Sequence, residues 1–106
     1  MKDLENVLSK LGGSRCGLGY RFITTAMELL LKKEDGFLNL YRQVYPKVAE
    51  IHHVKTHCVE RNIRTFIKGC YLKGNRSFLN EIACCKIDHQ PTVKEFLDMI
   101  FNYMKR

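Results

Sequence analysis

A chain of 106 residues is long enough to close one apolar core without metal or disulfides, and 45% hydrophobic residues is ordinary for a globular protein. No stretch reaches the uninterrupted apolar length of a membrane-spanning helix, and Met1-Lys2-Asp3-Leu4-Glu5-Asn6 lacks the apolar run of a secretory signal. The five cysteines are odd in number, never spaced C-x-x-C, and two of them are adjacent (Cys84-Cys85); the expectation is reduced thiols in a cytoplasmic protein. The net charge of +7 is unevenly placed. Between Arg42 and Arg76 stand eight basic residues against Glu50 and Glu60, a net +6, while the other 71 residues net +1. A local excess of that kind is the footprint of a surface for polyanions. A membrane surface fits less well, because the basic stretch lacks flanking Trp or Phe anchors.

Helical periodicity runs through the chain, and nowhere do β-formers alternate with polar residues long enough for a strand. The spacing predicts a first helix over about Asp3 to Leu11, with Leu4, Val7, Leu8 and Leu11 on one face and Gly12-Gly13 ending it. A second, about Leu18 to Lys33, is apolar almost all round and belongs at the centre of the core. Glu34-Asp35-Gly36 marks a turn, and a third helix is predicted from about Phe37 to Tyr45. Pro46 is suited to the first position of a short helix ending at His52, after which comes the link His53-Val54-Lys55.

The next helix, Thr56 to Lys73, has two unlike faces. Val59, Ile63, Phe66, Ile67, Cys70 and Tyr71 recur at three- and four-residue steps and make an apolar stripe. His57, Glu60, Arg61, Arg64 and Lys68 recur at the same steps on the other side. A short helix, a brief turn and a longer helix with a basic outer face is the outline of a helix-turn-helix. Thr56 is suited to cap the long helix and Gly74-Asn75 to close it. One or two turns follow over Ser77 to Ala83. The last helix starts at Thr92, with Glu95 three residues on as in a capping box, and carries Val93, Phe96, Leu97, Ile100, Phe101 and Met104 on one face. The fold expected is all-α, a compact bundle of six or seven helices in one domain containing a helix-turn-helix.

Five motifs occur in order: Gly19-Tyr20, Val44-Tyr45-Pro46, Val59-Glu60-Arg61-x-Ile63-Arg64, Lys73-Gly74-Asn75 and Pro91-Thr92-x-x-Glu95-Phe96. Together, from about Leu8 to Met104, they resemble the DNA-binding effector domain of the stage 0 sporulation protein A response regulators. The V-E-R-x-I-R segment is the most specific part. The resemblance implies an all-helical transcription factor module from a spore-forming bacterium or a relative. It also implies that 46–52 is the supporting helix, that 56–73 is the recognition helix, and that Glu60, Arg61 and Arg64 read or clamp double-stranded DNA. RNA polymerase is a partner on the same ground. Full members carry a phosphoacceptor receiver domain ahead of this one, and the 106 residues contain none. One position departs from the pattern: members often have a basic residue just before V-E-R, and here it is Cys58.

The residue types suit that chemistry. Arginine donates two parallel hydrogen bonds to guanine O6 and N7, and glutamate accepts from cytosine N4, so Glu60 and Arg61 can read neighbouring bases. Arg64 and His57 stand beside them. Thr56, Lys47, Lys55, Lys68, Lys73 and Arg76 are the expected phosphate contacts, joined by backbone N–H groups at the starts of the two helices. Five or six such contacts give a log–log salt slope of about −5. Glu60 and Arg64 are also spaced for an ion pair along the helix. Helix-turn-helix proteins often occupy paired half-sites, so a second copy on adjacent DNA is expected. Two rivals stand beside sequence-specific binding: a non-specific nucleic-acid binder, and a protein-interaction module that has lost its DNA role. No metal site is expected, because His53, His57 and one thiolate fall short of four ligands. Cys16 and Cys70 read as small core residues. The chain shows no phosphate loop, H-E-x-x-H or G-x-S-x-G, so neither an enzyme nor a cofactor is expected.

Overall fold

The computed structural model describes residues 2–12, 17–32 and 43–105, and among them it shows six helices and no strand. They are α1 (Lys2–Lys10), α2 (Leu18–Lys32), α3 (Tyr45–His52), α4 (Thr56–Lys73), α5 (Arg76–Ala83) and α6 (Val93–Met104). The helix predicted from Phe37 lies outside the described residues except for its last positions, as does Cys16. No described helix is long and apolar enough to cross a membrane.

Each helix buries the stripe its spacing marks. Leu4, Leu8 and Leu11 on the first face are fully buried, as are Phe22, Ile23, Ala26, Met27 and Leu30 of α2. The most extensive helix–helix contact is between α2 and α4, which makes α2 the inner wall for the long helix. Gly19 allows that approach. A Cβ there would sit 2.4 Å from the Asn62 carbonyl oxygen and 2.8 Å from Phe66 Cβ, so any side chain would push the helices apart. Where the backbones diverge, rings fill the space: Phe66 meets Tyr20 and Phe96, both at 6.4 Å between centroids.

The C-terminal end of α4 is held by backbone contact. Gly74 ends the helix and its N–H reaches the Cys70 carbonyl, while Asn75 N–H donates to the Leu11 carbonyl at 3.1 Å. A Cβ on Gly74 would meet the Leu11 oxygen at 2.1 Å. Asn75 has a second task beyond the expected stop, because its side-chain oxygen caps α5 by accepting from Phe78 N–H at 3.0 Å. At α6 the capping box is complete: Thr92 Oγ1 accepts from Glu95 N–H, and Glu95 Oε1 accepts from Thr92 N–H. The bond from Thr92 N–H is the main cause that holds the Glu95 carboxyl below its ordinary pKa, with a smaller contribution from the Thr92 side chain.

Candidate nucleic-acid interface

The interface is built on α3 and α4. Helix α3 ends where His53 turns left-handed (φ 57, ψ 45), with His53 N–H donating to Glu50 O and Val54 N–H to Ala49 O at 2.9 Å. This is a Schellman closure with histidine in the place glycine usually holds. It reverses the chain within three residues, and α4 departs at Thr56, an arrangement consistent with a helix-turn-helix. Two expectations are corrected here. The N-cap of α4 is Lys55, in extended conformation, and Thr56 is already inside the helix. Pro46 is the second residue of α3, and Val44 before that helix is itself helical (φ −77, ψ −52), so no clean N-terminus stands there.

Helix α4 buries Val59, Ile63, Phe66, Ile67 and Cys70. Burial pushes the Cys70 thiol up to about 12, which marks it as core. The opposite face is open: His57, Arg61, Arg64 and Lys68 are exposed on it, Thr56 and Lys73 are exposed at the two ends of the helix, and Lys47 and Lys55 are exposed on α3 and the turn. The structure therefore places the proposed base-reading and phosphate residues, Arg76 excepted, on one helix pair. Glu60 is the least open member, its side chain 26% accessible, and its Oε1 pairs with Arg64 Nη2 at 2.7 Å. The i, i+4 pairing is therefore present in the free protein. No side chain caps α4, so its first N–H groups are left for an outside acceptor, whereas α5 and α6 are capped by Asn75 and Thr92.

Arg76 has a different job from the one expected. Its Nη2 donates to the Tyr71 carbonyl at 2.7 Å and its Nη1 to the Ile87 carbonyl at 3.3 Å, while the guanidinium lies 3.8 Å from the Tyr71 ring centre. The cation braces the last turn of α4 against the segment leading to α6. Local sequence reading missed two further features. Asn62 donates to the Cys58 carbonyl at 2.8 Å and to its sulfur at 3.3 Å, tying the Cys58 thiol to the helix wall. Arg64 also shares a shallow cleft with Gln90, Thr92 and Lys94 at the start of α6. Those residues lie about a quarter of the chain away from Arg64, and nothing in local spacing brings them to α4. Among the described residues no three His, Cys, Asp or Glu side chains gather as a metal-binding group.

Comparison with known proteins joins this geometry to a family. Residues 4–104 match the family described as sporulation initiation factor Spo0A C terminal, the DNA-binding domain of a sporulation regulator and not an enzymatic family. The match spans all six helices from Leu4 to the end of α6, with the V-E-R-x-I-R segment on the open face of α4. The chain belongs to the Spo0A C-terminal family of DNA-binding, transcription-regulating domains.

Proposed function

We propose that this protein binds duplex DNA at preferred sequences, as a cytoplasmic transcription regulator, by laying α4 in the major groove. The observation that carries this reading is the segregation of α4: five buried apolar residues on one side, and His57, Arg61, Arg64 and Lys68 exposed on the other. A helix anchored this way presents its cations outward without disturbing the core. Arg61, directly opposite the buried stripe, reads guanine; Glu60 accepts from a neighbouring cytosine N4; Arg64 and His57 flank them. Lys47, Lys55, Lys68 and Lys73 meet phosphates, with Thr56 and the uncapped start of α4 supplying neutral donors. Arg76 is left out of that set because its Nη1 and Nη2 donate to the Ile87 and Tyr71 carbonyls and its guanidinium lies on the Tyr71 ring. Four phosphate lysines give a log–log salt slope of about −4. Two copies on neighbouring half-sites and a contact with RNA polymerase complete the proposal, both resting on family membership.

The test is selection of preferred sites from a random duplex library, followed by fluorescence anisotropy on selected and random duplexes across a salt series. Arg61→Ala is expected to erase roughly 5- to 150-fold of the preference, the worth of one bidentate guanine contact of about 1–3 kcal/mol. Lys68→Ala is expected to weaken both duplexes equally and to reduce the slope by about 0.9. Equal affinity of the parent protein for every duplex would leave only charge-driven binding. No binding at low salt would leave a protein-interaction module.

A further inference from the structure

The open face of α4 is not uniformly charged. Taking roughly 100° per residue, the direction opposite the buried stripe falls on Arg61. Lys68 and Leu72 stand about 20° to either side of it, Thr65 about 40° away and Arg64 about 60°. Thr65 therefore points outward more squarely than Arg64. The two flanks differ in kind: on one side lie His57, Arg64 and the Glu60 carboxylate, and on the other Thr65, Gly69 and Leu72, with no charge among them. Leu72 is 60% exposed, the most open large apolar side chain among the described residues. A Cβ built on Gly69 would meet nothing within 4 Å, and Thr65 and Gly69 line an open cleft whose far side is formed by Gly17 and Leu18 and whose end carries Lys73.

Thr65 stands one turn after Arg61, and its hydroxyl is turned back on the helix, donating to the Arg61 carbonyl at 3.0 Å. With that donor spent on the backbone, the group Thr65 offers outward is its methyl. The major-groove edge of DNA presents one apolar group, the C5 methyl of thymine, and small apolar side chains contact it. We infer that Thr65 reads a thymine methyl beside the base pair read by Arg61, so that this flank of α4 sets a preference for T at one position. This deepens the reading of α4 as a major-groove helix and rests on it.

The test uses the selected duplex. Each thymine is replaced in turn by deoxyuridine, which removes only the methyl, and binding is measured for the parent protein, Thr65→Ser and Thr65→Val. Serine keeps the hydroxyl without the methyl; valine keeps the methyl without the hydroxyl. One uridine position is expected to weaken the parent protein and Thr65→Val about four-fold, the worth of one buried methyl, and Thr65→Ser by less than two-fold. If no uridine position matters, or one matters equally for Ser and Val, the inference is overturned while sequence-specific binding stands. If selection returns no preferred duplex, the underlying reading falls first and takes the inference with it.

Discussion

Glu60→Gln separates the two roles the structure gives Glu60, because it acts on them in opposite directions. The side chain pairs with Arg64 at 2.7 Å, but Arg64 is 61% accessible, so water screens the pair and its loss is expected to cost less than about 0.5 kcal/mol of fold stability. On random duplex the change is favourable. Arg64 no longer has to leave a partner before meeting a phosphate, and one negative charge is removed from a surface facing a polyanion. A like-charge contact near 4 Å in water is worth about 1 kcal/mol, so affinity for random duplex is expected to rise two- to five-fold at low salt. On the selected duplex the glutamate's single hydrogen bond from cytosine N4 loses its charge assistance, a loss of about 1 kcal/mol, or roughly five-fold. The variant is therefore expected to bind random DNA more tightly and its own site less tightly. Anisotropy on both duplexes, with a thermal melt beside it, measures all three quantities. Equal weakening on both duplexes together with a drop in melting temperature would refute the reasoning, since it would make the pair a structural strut. No change on either duplex would place Glu60 off the interface.

Three further outcomes follow from particular contacts. Gly19→Ala puts a methyl 2.4 Å from the Asn62 carbonyl, and overpacking of about 1–3 kcal/mol outweighs the helix propensity gained; urea denaturation should show net loss of stability. Thiol labelling of the folded protein should modify Cys84 and Cys85, both exposed, and spare Cys70, whose thiol is held near 12 by burial, until denaturant is added. Glu95→Gln should lower stability slightly at pH 7, a difference that shrinks and disappears on acidification. The carboxyl's folded pKa is below its unfolded one, so its contribution is present above the unfolded value and lost as pH falls through the folded value.

The helices were legible because each had to bury one face. The stripes Leu4-Leu8-Leu11, Val59-Ile63-Ile67 and Val93-Phe96-Ile100 are buried as their spacing required, and Pro91-Thr92-x-x-Glu95 forms the box its residues allow. Less legible were groups whose roles depend on which chain segment comes near. Gly19 is unremarkable in a helical pattern until Asn62 and Phe66 arrive across from it. Thr56 is a better capping residue than Lys55, yet the left-handed turn at His53 fixes where α4 begins, and that turn is satisfied by the carbonyls of α3. At Gly19 the deciding contact is tertiary; at Thr56 it is the closure of the helix just before.

Arg76 shows the same limit for charge. In sequence it ends a run of eight basic residues and is indistinguishable from its neighbours. In the fold the chain turns at Gly74 because Leu11 leaves no room for a side chain there, and the turn brings Arg76 over the ring of Tyr71, beside the carbonyls of Tyr71 and Ile87. A guanidinium so placed gains three partners within the protein before any DNA arrives. Among the described residues the local excess of charge thus divides into cations that face solvent on α3, α4 and the turn, and one that holds the end of α4 in place.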